Sequence, residues 1–280
     1  MVLFEKDGMS FYNSSNLKDW KKQSRFPGLH ECPDFFELPV DGNDSKRKWV
    51  LHGGSSEYFI GSFNGRTFTP ESSKLNYAEG IAEGGITAGW GSTLYAAQSF
   101  TNMPDNRRVQ IAWGRIDHEG MPFTQMMLFP TEFVLRNTPH GIRLLAAPIK
   151  EIHELYKTNY EWNSISIKQA CQELQKIKAG PLSLQLTFTL PQGNRFNLRY
   201  QGNELINLLS TDLSLGENQM EILIDKTVAE IFINHGERYI IKNLEVKRNE
   251  QGLELDSENY GPVLHTLQVH EMKSIWNIEH

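Results

Sequence analysis

The stretch that decides the fold lies at residues 30–38, where the chain reads HECPDFFEL. Two acidic residues, Glu31 and Asp34, stand three positions apart around Pro33, and an aromatic-rich strand is predicted to follow. Because a proline restricts the backbone, this turn can hold the Glu31 side chain in a defined direction. A general acid needs such fixed placement. A solvated surface turn is the alternative interpretation of the same spacing.

Short apolar runs recur on both sides of this stretch, and turns rich in Gly, Asn, Asp and Pro separate them. No segment before residue 147 has the period of a helix. The pattern therefore predicts an all-β first part. Its predicted strands lie at residues 1–4, 9–12, 48–52, 58–63, 93–100, 109–114, 126–129, 133–136 and 142–146.

A weak internal repeat relates residues 9–20 to residues 58–68, each a strand, a polar turn and a bulky aromatic residue. The offset of about 48 residues is in the range of propeller blades. The first strand, at residues 1–4, is predicted to be buried and has no leader before it, so we expect a truncated domain. A short domain with a well-ordered first strand is the alternative.

The pattern changes near residues 147–160, where Ile149 to Tyr156 is predicted to be a short helical connector. Eight strand candidates with alternating polarity follow, which is typical of a β-sandwich. They lie at residues 182–190, 195–200, 204–210, 219–225, 229–234, 239–242, 253–257 and 266–272.

Composition excludes several classes of function. The chain has 280 residues with a formal net charge of −6, whereas a nucleic-acid partner would favour a basic surface. No apolar run reaches the roughly 20 residues of a membrane span, so no membrane partner is expected. The two cysteines, Cys32 and Cys171, form neither a disulfide framework nor a metal-ligand spacing. The six tryptophans suit sugar stacking, although core packing is the common use of such residues.

The stretch at residues 31–34 resembles the acid/base motif of glycoside hydrolase family 32, the invertase, inulinase and levanase group. Four further segments resemble motifs of that family in the same order along the chain. They are the Tyr-Ala strand at residues 95–100, the Arg-Arg strand at 107–114, the closing segment at 122–130, and a sandwich signature at 223–236.

The resemblance implies a partial five-bladed β-propeller at residues 1–147, with a funnel-shaped active site, and a β-sandwich at residues 148–280. It implies hydrolysis of terminal β-fructofuranosyl linkages with retention, in sucrose or in fructans such as levan and inulin. Glu31 matches the acid/base residue. A fructose-containing oligo- or polysaccharide is the implied partner, no cofactor is implied, and a secreted or periplasmic location is favoured.

Four further residues are candidates for the substrate site. Trp113 matches a family position near the fructosyl pocket, and Tyr95 belongs to the Tyr-Ala strand. Trp90 stands where the family usually has an acidic residue, and Cys32 follows Glu31 directly. For the aromatic residues, packing in the core is the alternative; Cys32 is expected to be small and buried rather than redox-active or metal-binding.

Two motifs of the family are missing from the sequence: the Trp-Met-Asn-Asp-Pro type of motif that carries the nucleophile, and an Arg-Asp-Pro motif. Both would precede residue 1, so we expect a truncated chain or one half of a split enzyme that an N-terminal polypeptide complements. A non-catalytic carbohydrate-binding or structural remnant is the alternative. A five-bladed arabinanase-like enzyme is a third reading, which the sandwich signature disfavours.

Overall fold

The computed structural model describes residues 1–79, 93–116, 122, 124–245, 252–255 and 261–275. Contacts divide the chain into two compact units. The first comprises Met1–Arg115, Gln125–Ile149 and Gly236–Tyr239, and the second comprises Ile116–Thr124, Lys150–His235 and Ile240–His280. Among the described residues, no helix is long and apolar enough to cross a membrane.

The first unit is built from short β-strands, as the alternation of apolar runs and turns predicted. A 3₁₀ turn at Pro104–Asn106 interrupts them. The strands are β1 (Val2–Glu5), β2 (Gly8–Asn13), β3 (Lys21–Pro27), β4 (Asp34–Val40), β5 (Asn43–His52), β6 (Glu57–Phe63), β7 (Phe68–Pro70), β8 (Leu75–Asn76), β9 (Leu94–Ser99), β10 (Val109–Gly114), β11 (Met126–Met127), β12 (Thr131–Thr138) and β13 (Gly141–Pro148).

These strands form two sheets. Strands β1, β2 and β3 make one antiparallel sheet, and the second follows the path β11-β10-β12-β4-β5-β6-β7. Strand β13 pairs with β12, β8 with β6, and β9 with β10. The successive hairpins β4-β5-β6-β7 form a four-stranded antiparallel meander, which is the unit from which propeller blades are built. Strand β12 meets β4 in parallel through Leu135 and Val40.

An aromatic cluster anchors the start of β4, directly after the turn that carries Glu31. The Phe35 ring stacks on Trp49 at a centroid distance of 4.4 Å and meets the ring edges of Phe11 and Phe63 at 5.1 and 5.0 Å. Such aromatic pairs contribute about 0.5–1.5 kcal/mol each beyond the area that they bury. The run of aromatic residues after Pro33 is therefore core, and it fixes one end of the Glu31 turn.

A chain of hydrogen bonds crosses the interior of the same sheet. His52 Nε2 lies 3.2 Å from the Tyr77 hydroxyl, which donates to Gln110 Oε1 at 3.0 Å, and Gln110 Nε2 donates to Thr131 Oγ1 at 2.8 Å. All four side chains are buried. Because the tyrosine proton is directed at Gln110, the hydroxyl accepts from His52, so the imidazole carries its proton on Nε2. The chain leaves one polar atom unsatisfied, because His52 Nδ1 has no hydrogen-bond partner among the described residues.

The second unit is a two-sheet sandwich. Its larger sheet has the order β14-β22-β15-β18-β19-β20 and its smaller sheet the order β17-β16-β21. The strands are β14 (Tyr156–Asn163), β15 (Leu182–Thr189), β16 (Arg195–Tyr200), β17 (Asn203–Leu209), β18 (Glu217–Ile224), β19 (Val228–Ile233), β20 (Arg238–Asn243), β21 (Leu253–Leu255) and β22 (Val263–Met272). Phe188 of the larger sheet meets Phe196 of the smaller one edge-on, at 4.9 Å.

All eight strands that the alternating pattern predicted after residue 180 are present, and the predicted connector is a 3₁₀ helix at Lys150–Leu155. The sequence did not reveal β14, an edge strand whose residues alternate between half-buried and exposed. It also did not reveal helix α1 (Ile167–Leu174), whose eight residues span too few turns for a clear helical period. Its visible signal was the capping box formed by Ser166 and Gln169.

The first strand needs one correction. Residues 1–4 were predicted to be a buried strand, and β1 does form there. However, Met1 is 50% exposed and Leu3 is 40% exposed. The reason is that Val2 and Phe4 pack against an apolar cluster, whereas Met1 and Leu3 alternate with them and lie on the opposite face, so only one face of the strand is buried.

Candidate active site

The Glu31 turn, residues 30–33, has an unusual backbone. Glu31 and Cys32 have φ angles of 46° and 41°, a left-handed conformation that side chains other than glycine disfavour. The Gly54 amide donates to the carbonyl of His30 at 2.9 Å and ties the turn to the end of the neighbouring hairpin. A Cβ at Gly54 would lie 3.3 Å from that carbonyl oxygen, so the approach is close. Strain of this kind is concentrated at functional sites.

The Glu31 carboxylate is held at one oxygen and open at the other. The Tyr95 hydroxyl donates to Oε2 at 2.5 Å, and His30 Nε2 lies 3.8 Å from Oε1. The Glu31 side chain keeps 40% of its surface exposed. The carboxylate is thus oriented by the protein and still accessible to a substrate or to water.

A β-bulge in β9 brings two side chains to this turn. Tyr95 pairs with Trp113 and Gln98 with Ile111, so Ala96 and Ala97 together face one residue of β10, and Ala96 has a φ angle of 48°. In a regular strand, side chains three positions apart point to opposite faces. The extra residue brings both to the turn: Tyr95 donates to Glu31, and Gln98 Nε2 donates to the Cys32 carbonyl at 3.0 Å.

An aromatic surface adjoins the carboxylate. Trp113 meets the Tyr95 ring edge-on at 6.1 Å and is 38% exposed, and its cross-strand partner Met127 is 56% exposed. The Arg115 guanidinium lies 4.9 Å from the centre of the same Tyr95 ring. Burial, and then the hydrogen bond to Glu31, raise the pKa of Tyr95, so its hydroxyl stays protonated and remains a donor.

Asp34 of the same motif has a different place. Its carboxylate accepts from the backbone amide of Ser99 at 2.8 Å and from the Ser99 hydroxyl. Arg108 Nη1 donates to that hydroxyl at 3.3 Å and to the Phe100 carbonyl at 3.2 Å. Asp34 therefore joins the start of β4 to the end of β9, and it holds the two strands on which Glu31 and Tyr95 depend.

The structure brings three of the five candidate site residues together: Glu31, Tyr95 and Trp113. Cys32 is half-buried rather than buried; burial, and then the charge of Glu31, raise the pKa of its thiol. Trp90 lies outside the described residues, so its predicted role stays a prediction. In the described part of the chain, no group of three or more His, Cys, Asp or Glu side chains could hold a metal ion.

The sequence reasoning missed Gln98, Ser99 and Arg115 as neighbours of the site. Two of them lie in the Tyr-Ala segment that had been singled out, at residues 95–100, so the signal was present. Strand alternation alone would place Tyr95 and Gln98 on opposite faces. Only the bulge, which the sequence did not predict, brings both side chains to the Glu31 turn.

Comparisons with known proteins bear on the family and the fold of the chain. The model of the glycosyl hydrolases family 32 N-terminal domain matches residues 1–148. A levanase of Bacillus subtilis is 27% identical over 99% of this chain, and the chain spans 48% of that levanase. An extracellular exo-inulinase of Aspergillus niger is 31% identical over 54% of this chain, with 33% of the relative covered. The chain thus spans half or less of the length of these relatives.

Solved structures show the same fold. Exo-inulinase from Aspergillus awamori superimposes with a TM-score of 0.72 at 18% identity, over 96% of this chain and 63% of that enzyme. Fructan 1-exohydrolase IIa from Cichorium intybus gives 0.68 at 16% identity, over 95% and 66%. The architecture is all-β, part of a β-propeller followed by a β-sandwich. Because the family model matches more than half of its residues, the chain belongs to glycosyl hydrolase family 32.

Proposed function

We propose that the chain carries the acid/base part of a β-fructosidase site, which cleaves terminal β-fructofuranosyl linkages of sucrose or fructans with retention. Residues 1–147 are the propeller part in this proposal, and residues 148–280 are the sandwich. One observation carries the proposal: the Tyr95 hydroxyl holds Glu31 Oε2 at 2.5 Å while the carboxylate stays 40% exposed. Relatives named levanase and exo-inulinase support the substrate class.

The chemistry follows from this arrangement. Retaining glycosidases use two carboxyl groups about 5–5.5 Å apart, one as nucleophile and one as acid, then base. Glu31 protonates the leaving oxygen in the first step and accepts a proton from water in the second. Since Tyr95 donates to Oε2, Oε1 is the oxygen that exchanges a proton with the substrate. The exposed face of the Trp113 indole packs against a sugar ring.

The remaining candidates have lesser parts in this proposal. Cys32 shapes the substrate pocket through its backbone, because Gln98 fixes its carbonyl. Trp90 lines the pocket in this proposal, and only the sequence supports this role. The 280 residues contain no match to the family's nucleophile motif. We therefore propose that polypeptide outside these residues contributes the second carboxylate, either in the same protein or as a complementing chain.

The test is an activity assay with sucrose, inulin and levan on the 280-residue chain, with and without a segment that carries the nucleophile motif. We expect negligible turnover without the segment and hydrolysis with it. Glu31→Gln should then lower kcat by about 10²- to 10⁴-fold, the contribution of general acid/base catalysis. Glu37→Gln, on the strand that follows the turn and ion-paired with Arg47, is the matched control and should leave kcat unchanged.

Two results would contradict the proposal. The first is robust turnover by the 280 residues alone that Glu31→Gln leaves intact, which would require a different acid. The second is a first-formed sugar product of inverted anomeric configuration, detected by NMR during hydrolysis, which would exclude the retaining mechanism.

A second candidate function is binding of a fructose-containing carbohydrate without hydrolysis. The exposed Trp113 beside a protein-oriented carboxylate favours it, because this surface can hold a sugar without a nucleophile. Sugar binding that persists while every complemented preparation stays inactive would support it. Relatives that are described as extracellular support our proposal of a secreted or periplasmic protein, which cell fractionation tests.

A further inference from the structure

The first unit has a cavity of about 320 Å³ that shares no residue with the candidate active site. One wall is the segment that connects β7 and β8, and the other is the hairpin turn between β12 and β13. The lining residues are Ile60, Glu71, Ser72, Ser73, Leu75, His140, Gly141, Ile142 and Arg143. This volume is at the lower end of the range for small-molecule sites, which is about 300–1,000 Å³.

The first wall is held in place by hydrogen bonds. The Glu71 amide donates to the Ile60 carbonyl at 2.8 Å, and the Ile60 amide donates to Ser72 Oγ at 2.9 Å. Lys48 Nζ contacts Glu71 Oε2 and balances the charge of that carboxylate. Glu71 Oε1 has no hydrogen bond to any residue that the structure describes, so it is available as an acceptor.

The second wall presents a donor. Arg143 Nη1 donates to the carbonyl of Ile142 at 2.9 Å. In the described ranges, no carboxylate lies within ion-pair distance of Arg143, whereas Arg47 pairs with two carboxylates and Arg107 pairs with Glu132. A guanidinium has five N–H donors, so most of its capacity remains for a ligand. The Thr138 hydroxyl donates to the Gly141 carbonyl at 2.9 Å and holds the hairpin turn closed.

We propose that this cavity binds one uncharged, polyhydroxylated sugar unit, a fructosyl unit of the substrate polymer. A sugar hydroxyl both donates and accepts, and the two walls offer it an acceptor on Glu71 and a donor on Arg143. Ile60, Leu75 and Ile142 provide apolar surface for the C–H face of the ring.

The choice of a fructosyl unit rests on the proposed function, while the sugar class rests on the cavity itself. A second site on the same molecule would hold a polymer near the catalytic carboxylate by raising its effective concentration. Binding of one unit alone should be weak, with a dissociation constant on the order of 1 mM, because little apolar area is buried.

The test is a titration of the 280-residue chain with 1-kestose, followed by backbone amide NMR. We expect shifts at Ser72, Ser73 and Gly141. Arg143→Ala should weaken this binding about tenfold, as expected for the loss of a hydrogen bond to a charged group. Arg136→Ala is the matched control, since Arg136 is the exposed cross-strand neighbour of Arg143 and does not line the cavity. Arg143→Lys, which keeps the charge but not the planar fork, should weaken binding less than Arg143→Ala.

Each other outcome has a defined meaning. The inference would be overturned if these amides do not shift at kestose concentrations up to about 20 mM, which is about 20 times the expected dissociation constant. Shifts with inorganic phosphate and none with kestose would also overturn it and would make the cavity an anion site. Shifts at these amides but none near Tyr95 or Trp113 would support the second site while counting against the proposed active site.

Discussion

Two tyrosine hydroxyls in the first unit organise polar side chains in opposite ways. Tyr77 joins His52 to Gln110 inside the sheet, where every member of the chain is buried. Tyr95 joins a strand to the Glu31 carboxylate, which remains 40% exposed. The first arrangement is shielded from solvent and serves stability. The second leaves one carboxylate oxygen open, and that is what a catalytic acid requires.

The backbone shows the same difference. In the buried chain of hydrogen bonds, His52, Gln110 and Thr131 lie in the paired strands β5, β10 and β12, and none of them has a positive φ angle. The Glu31 turn, by contrast, combines two left-handed residues with a bulge in the strand opposite. Left-handed residues and bulges cost stability, so their concentration around Glu31 indicates a site shaped for placement of a side chain.

The largest expected effect on stability concerns pH and the buried chain of hydrogen bonds through His52. Burial lowers the pKa of His52 from its ordinary value near 6.5 to about 4, against the opposing charge of Asp34. The second ring nitrogen, Nδ1, has no hydrogen-bond partner among the described residues, so an added proton would find no acceptor. Between pH 6.5 and 4 the unfolded chain therefore binds a proton that the folded chain does not, and stability falls as the pH falls.

The difference between these two pKa values corresponds to about 3 kcal/mol. Between pH 7 and pH 4, the free energy of unfolding of His52→Gln should fall by about 3 kcal/mol less than that of the parent chain. Urea unfolding at both pH values measures the difference. His140→Gln, at an exposed position, is the control and should behave like the parent chain. An identical pH dependence in His52→Gln and the parent would show that His52 titrates normally.

Tyr77→Phe should lower the free energy of unfolding by about 1–3 kcal/mol, because His52 Nε2 and Gln110 Oε1 lose their shared buried partner. Thermal or urea unfolding at pH 7 measures the change. In the complemented enzyme, kcat should be unaffected once the protein is folded. A loss of kcat in folded Tyr77→Phe would remove the distinction between the two tyrosines.

Tyr95→Phe is the converse substitution and has the smallest expected effect on free energy. It removes the hydrogen bond to Glu31 Oε2 but keeps the ring against which Arg115 and Trp113 pack. We expect kcat of the complemented enzyme to fall about tenfold, equivalent to about 1.4 kcal/mol, with an altered pH profile. Unfolding at pH 7 should change by less than about 1 kcal/mol, because water can replace the hydroxyl at an exposed carboxylate. A large loss of stability with unchanged kcat would reverse the assignment.

Local pattern was sufficient for most of the architecture. Strand alternation and turn residues predicted the all-β class and all eight strands after residue 180, since burial of one sheet face imposes a period of two on the sequence. The motif that resembles the family's acid/base motif was equally local: Glu31, Cys32, Pro33 and Asp34 are adjacent in the chain. The signal failed at β3, β7, β8, β14 and α1, which are polar or short. Packing against the sandwich core stabilises β14 and α1.

The sequence by itself determined the fold class, the family resemblance and the proposal that Glu31 is the acid, because each depends on neighbours along the chain. Only the tertiary structure decided which side chains meet that acid. Tyr95 lies 64 residues away, and its direction depends on one extra residue in β9. Contacts between distant segments depend on register, and a shift of one residue turns every side chain of a strand to the other face.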